Sequence, residues 1–338
     1  MPTPAAIDIA LQGGGSHGAF TWGALDRLLE DGSLTFAGIS GTSAGALNGA
    51  VLLTGLARGG PEAARQALHD FWHDVAGTST CFGVPAAAPR SPWDAWAAQW
   101  QNGWQQWASG FSPYQFNPLG LNPLQDLLER HVDVKALRAA DAPRLYVCAT
   151  AVRSGQPKVF SGAELGIPAL LASACLPHLF QAVEIGGEPY WDGGYSGNPA
   201  LWPLIYGTAE ADLLLVKIQP LVRPSTPRSA IEIAERAAEI SFNTALVGEV
   251  RAIAFVKHLL KDERIDRGRY KDLRLHLIAD EHELAALPSQ SKMDTRWEFL
   301  QRLFTLGRAA ADAWLRQHRS AVGKRSSFDI EKHFLAPR

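Results

Sequence analysis

Ile39-Ser40-Gly41-Thr42-Ser43-Ala44-Gly45-Ala46-Leu47 reads as the end of a short strand, a serine between glycines, and the start of a small-residue helix. This is the G-x-S-x-G spacing of a nucleophile elbow, in which a tight strand-to-helix turn lifts the serine hydroxyl out of a sheet. Gly41 and Gly45, with Ala44 and Ala46, leave room for strand and helix to approach where longer side chains would clash. The helix N-terminus beneath Ser43 favours negative charge. Alone, the pentapeptide is a moderate signal, and the sequence on either side decides how it is read.

Upstream, Ala5 to Leu11 is a buried strand that enters Gln12-Gly13-Gly14-Gly15-Ser16-His17-Gly18, and Ala19 to Glu30 follows with helical periodicity. The glycines fit G-x-G-x-x-G, so a dinucleotide site has to be weighed. That fold needs an acidic residue at the end of its second strand to hold a ribose. Here the second strand, Phe36 to Ser40, ends in the serine turn. The alternatives are a plain glycine-rich turn and an oxyanion hole, whose backbone N–H groups face one spot beside the nucleophile. Downstream, Tyr190-Trp191-Asp192-Gly193-Gly194 takes an aspartate out of a strand into two glycines. Alone this is an Asx-turn. Asp192 could equally accept the Ser43 proton.

Strands and helices alternate through Val75, which argues for a parallel, doubly wound sheet. A helix at 123–131, a strand at 144–152 with a hairpin partner near Lys158, a short helix at 167–174 and an extended stretch at 181–191 follow. Beyond them the pattern predicts a strand from Asp212, a long helix at 229–261, a strand at 273–278 and a helix at 293–318. The tail beyond Ser320 is mixed and polar and is expected to be draped or mobile.

Residues 85–123 break the pattern with prolines, few charges and dense aromatics. Trp93, Trp96, Trp100, Trp104 and Trp107 recur at spacings of three and four and fall on one stripe of a helix. Such a stripe packs on the main domain or serves as a lid and acyl-chain wall that also meets lipid. Without Lys or Arg on its polar side it is not built for strong attraction to anionic membranes.

With 338 residues, 46% of them hydrophobic, the chain can bury a large core. Its net charge of −2 gives no basic face for nucleic acid. Cys81, Cys148 and Cys175 are scattered and read as reduced, buried thiols. No secretory leader and no spanning segment is visible, so the expected location is cytoplasmic, with peripheral contact at a membrane or lipid surface.

The three motifs, in this order, resemble the patatin-like phospholipase family, and Leu171-Ala-Ser-Ala-Cys-Leu-Pro177 and Asn198-Pro199 are similar to its bacterial members. The resemblance covers about residues 5 to 320. It implies a three-layer α/β/α fold with a mostly parallel sheet, to which composition adds the insert at 85–123 and the tail at 321–338. It also implies a Ser–Asp dyad hydrolase of lipid acyl esters that needs no metal or other cofactor. Carried over, Ser43 is the nucleophile and Asp192 the base. Gly13, Gly14, Gly15 and Gly18 form the oxyanion loop, with Gly41, Gly45, Gly193 and Gly194 flanking the reacting groups.

The family usually has Arg or Lys where this chain has His17. That exchange predicts an imidazole titrating near neutrality beside the hole and a stronger pH dependence, unless His17 only packs against the loop. An aspartate base needs a pKa raised by burial, or proton transfer concerted with attack. His178, His258, His276, His282, His318 and His333 leave a triad formally open, with His178 nearest by sequence. The early elbow, after only two strands, favours the dyad. Phospholipid or lysophospholipid is the first substrate expected. The alternatives are polyhydroxyalkanoate depolymerisation, acyl transfer and non-catalytic lipid binding.

Overall fold

The computed structural model describes residues 4–77, 112–223, 225–266 and 268–336. The five insert tryptophans and Cys81 lie outside the described residues. An eight-stranded sheet runs in the order β5-β6-β3-β2-β1-β7-β8, with β4 pairing β3 beside that path. Five strands are parallel: β1 (Ala5–Leu11), β2 (Leu34–Thr42), β3 (Arg144–Ala151), β7 (Asp212–Val216) and β8 (Arg274–Ile278). The antiparallel strands β4 (Pro157–Ser161), β5 (Val183–Ile185) and β6 (Glu188–Asp192) gather at one side.

Alternation along the strands explains the layers, because successive side chains point to opposite faces. Leu214 and Val216 of β7 enter one core with Ile9 and Leu11, while Leu213 and Leu215 enter the other with Ala10. The first core is roofed by α1 (Gly18–Asp31), α2 (Ala44–Ala76), α3 (Pro123–His131), α4 (Ile167–Ser173) and α6 (Trp297–His318). The second is covered by α5 (Ala230–Lys261), through Leu246, Val250 and Ile253. The expected three-layer α/β/α architecture is therefore present.

The sequence divides the stretch after Ser43 into two helices. The structure joins them end to end as α2, broken at Gly59 and Gly60 and restarted by Pro61. The tail is draped rather than free. Ile330 and Phe334 are buried in the second core, and the Ser327 N–H donates to the Leu275 carbonyl at 3.0 Å.

Candidate active site

Ser43 caps α2 with φ 52° and ψ −127°, a left-handed backbone that costs a non-glycine residue about 1–3 kcal/mol. The strain is tolerated because the turn is fixed on every side. A β-carbon at Gly41 would sit 2.6 Å from the Ala46 nitrogen, and one at Gly45 would run into the Leu11 carbonyl. The Ser43 N–H donates to the Ser173 hydroxyl at 2.9 Å, and that hydroxyl donates to the Cys148 carbonyl at 2.6 Å.

Strand register brings the aspartate to the serine. Thr42 of β2 pairs with Cys148 of β3, and the next residue, Ala149, pairs with Asp192 of β6. Ser43 and Asp192 thus stand at the same level of the sheet on either side of β3, although β2 and β6 run in opposite directions. Gly193 allows the close approach, since a β-carbon there would meet the Cys148 backbone. Asp192 Oδ1 accepts the Gly194 N–H at 2.7 Å, so the Asx-turn is real. Its Oδ2 is buried without a hydrogen bond of ordinary geometry. The Ser43 hydroxyl is the side-chain donor that acts on this carboxyl. Burial pushes the Asp192 pKa up to about 7, against the smaller pull of the Gly194 N–H and the Ser43 hydroxyl. That is the condition the sequence set for an aspartate base, and it matches a base working near neutral pH.

The glycine loop lies across the serine: a β-carbon at Gly13 would stand 2.8 Å from Ser43 Cβ. Its four glycines do different things. The Gly13 N–H donates to Asn198 Oδ1 at 2.7 Å, and the Gly18 N–H is taken by the Gly15 and Ser16 carbonyls. Among the described residues, the Gly14 and Gly15 N–H groups have no acceptor, and both residues line the same cavity as Ser43 and Asp192. Within this loop, Gly14 and Gly15 are therefore the residues whose N–H groups stay open, while those of Gly13 and Gly18 are taken up in bonds that shape the loop.

Residues with no predicted role hold that loop. Gln12 Oε1 accepts the N–H groups of Ile218 and Gln219 at 2.9 and 2.7 Å, and its Nε2 donates to Asn243 Oδ1 at 3.1 Å. Gln219 Nε2 donates to the Gly13 carbonyl at 2.9 Å. Gln12 and Asn198 flank or belong to motifs noted in the sequence, but their partners lie about 190 to 230 residues away.

Of the two roles open to His17, the structure shows the packed one. It is fully buried, its Nε2 bonds the Ser291 hydroxyl at 2.7 Å, and burial, aided by the charges of Lys292 and Arg223, lowers its pKa to about 3. An imidazole held in the core and close to two cations cannot titrate near neutrality, so it packs the loop as a neutral group. Of the candidate triad histidines, His178 alone lines the cavity. His276 pairs with Asp212, His258 with Glu331, His282 with Glu283 and His333 with Glu281, all away from Asp192.

The cavity holds about 290 Å³ and carries Ser43 and Asp192 in a wall otherwise dominated by Leu47, Phe71, Trp72, Leu127, Leu179 and Phe242. It suits an acyl chain whose ester end reaches the serine.

The patatin-like phospholipase profile matches residues 9–205, more than half the chain, and takes in the glycine loop, the elbow and Asp192. This chain belongs to the patatin-like phospholipase family. Membership of that family gives its chemistry as hydrolysis of lipid acyl esters. No curated protein sequence matches. Among solved structures, VipD from Legionella pneumophila is similar at 13% identity and a TM-score of 0.40, over 99% of this chain and 73% of that one. ExoU in its complex with SpcU from Pseudomonas aeruginosa is similar at 17% identity and a TM-score of 0.33, over 92% of this chain; the alignment spans about half, 52%, of the other. No helix among the described residues is long and apolar enough to cross a membrane.

Proposed function

We propose that the chain is a serine-dependent lipid acyl hydrolase of the phospholipase A or lysophospholipase type, working through a Ser43–Asp192 dyad. The observation that carries the reading is a strained, buried serine beside a buried aspartate whose pKa is raised to about 7, in the wall of an apolar cavity. Ser43 Oγ attacks the ester carbonyl carbon while its proton passes to Asp192. The oxyanion forms against the Gly14 and Gly15 N–H groups, where losing one such donor typically raises a barrier by about 3 kcal/mol. The intermediate collapses as Asp192 returns the proton to the leaving alcohol oxygen, leaving an acyl ester on Ser43. Water then attacks that ester, Asp192 takes a proton from it, and the fatty acid leaves as Ser43 is reprotonated.

The hydrolase unit is read as residues 5–320, with an insert at 85–123 and a tail at 321–338, of which Ile330 and Phe334 pack in the second core. The test is product analysis on a lysophospholipid in detergent micelles. Wild type should release fatty acid and the matching alcohol in equal amounts, and Ser43→Ala should release neither. Fatty acid release by Ser43→Ala at the wild-type rate would sink the reading. Transfer of the acyl group to an added alcohol in preference to water would make the chain an acyltransferase with the same first step.

A further inference from the structure

One part of the cavity wall is built by residues beyond the span that matches the family. Glu239 of α5 and Lys292 line it, in the same cavity as Gly14, Gly15 and Ser43. The two are bound to each other, Lys292 Nζ donating to Glu239 Oε1 at 3.1 Å. Glu239 is also covered on both oxygens by arginines. Arg223 reaches Oε2 through Nε at 3.1 Å and Oε1 through Nη2 at 2.5 Å, and Arg236 reaches Oε2 at 3.3 Å. Three cations converge on one carboxylate. Burial pushes the carboxyl of the neighbouring Glu235 up toward its neutral form.

Lys292 is also fixed against the oxyanion turn. A β-carbon at Gly15 would run into the Lys292 carbonyl oxygen, and the charges of Lys292 and Arg223 both help to drive the proton from His17. The positive field at this loop therefore comes from Lys292 and its neighbours, although position 17 itself is neutral. Burial lowers the Lys292 pKa, a penalty that a bound anion would relieve. In a glycerol lipid the phosphate sits within a three-carbon backbone of the acyl ester, so an anion site for it must lie close to the oxyanion donors.

We propose that Lys292, anchored by Glu239 beside the Gly14–Gly15 turn, is an anion subsite that binds the phosphate headgroup of the lipid whose acyl ester faces Ser43. The assignment rests on the hydrolase reading for where the ester lies, but its binding test does not need turnover. Equilibrium binding is measured on Ser43→Ala and on Ser43→Ala with Lys292→Gln or Lys292→Arg. The probes are lysophosphatidate and the monoacylglycerol of the same acyl chain, each in nonionic detergent micelles. Lys292→Gln should weaken lysophosphatidate about tenfold more than monoacylglycerol, the scale of one lost charge-assisted hydrogen bond. Lys292→Arg should keep most of the preference, and a variant that no longer folds would show in its circular dichroism and leave the arginine comparison decisive. Equal weakening of both lipids, or no change in either, would overturn the subsite. Competition by inorganic phosphate against monoacylglycerol, without any preference for lysophosphatidate, would show a site for the free ion and overturn the headgroup assignment. If both lipids bind as predicted while wild type turns neither over, the subsite stands and the hydrolase reading fails.

Discussion

Asp192 at the end of β6 and Asp212 at the start of β7 are both shut away from solvent, yet they are furnished differently. Burial acts on Asp212 too, but Arg274 grips it through Nε and Nη2 at 2.7–3.0 Å, His276 Nε2 lies at 2.9 Å and the Gly323 N–H at 3.0 Å. These partners outweigh burial and hold its carboxyl below the usual range. Asp192 accepts one backbone hydrogen bond, from Gly194, and burial raises its pKa to about 7 against the smaller pull of that N–H and the Ser43 hydroxyl. A fully partnered carboxylate ties strands and tail together, whereas an under-partnered one keeps an affinity for a proton. A raised pKa alone does not mark a site. Glu249 is also pushed up to about 7, but it accepts the Leu201 and Trp202 N–H groups at 2.8 Å, away from the cavity. What sets Asp192 apart is the strained serine beside it.

The comparison breaks first on activity. Ser43→Ala should lower kcat/KM on a lysophospholipid by about 10⁴-fold or more, and Asp192→Asn by a similar factor. Asp212→Asn should leave kcat/KM near the wild-type value. A loss of activity in Asp212→Asn at full folding would erase the distinction. Asn198→Ala, which frees the Gly13 N–H and loosens the loop, should cost about 10²-fold in kcat with a smaller change in KM.

Stability sharpens the same contrast, because the two aspartates have opposite signs. The folded pKa of Asp192 lies above its ordinary 3.8, so its contribution to stability is full below that value and is lost as pH rises through about 7. Asp212 has a depressed folded pKa, so its contribution is full above 3.8 and is lost as pH falls through the lowered value. In urea titrations, Asp192→Asn should be more stable than wild type at pH 8, with the difference closing toward pH 4. Asp212→Asn should be less stable at pH 7 by about 3 kcal/mol, because Arg274 and His276 lose their charged partner. The smallest effect belongs to His17. With its pKa near 3, His17→Gln should add or remove no limb in the pH–rate profile between pH 5 and 9.

Much of the site was legible because its signals are local. Gly13–Gly18, Gly41–Gly45 and Asp192–Gly194 each encode a turn within six residues, and turn chemistry survives without knowledge of tertiary contacts. The strand order was legible in outline, since buried runs such as Leu213–Val216 alternate between two cores. The division of labour within the glycine loop was not, because it depends on which N–H groups find acceptors as distant as Asn198. Which of its two roles His17 takes was open for a related reason. Its pKa is set by burial and by Lys292 and Arg223, more than 200 positions away, and sequence spacing carries neither. The Glu239–Lys292 wall left no motif, because each residue alone looks like an ordinary surface charge.

The measurement that tests the central claim most directly is the pH dependence of fluorophosphonate labelling, read by intact mass on wild type, Ser43→Ala and Asp192→Asn. The dyad predicts one adduct on wild type, none on Ser43→Ala, a wild-type rate that rises through pH about 7, and slow labelling without that rise in Asp192→Asn. An adduct that persists in Ser43→Ala, or a wild-type rate flat through that range, would contradict it.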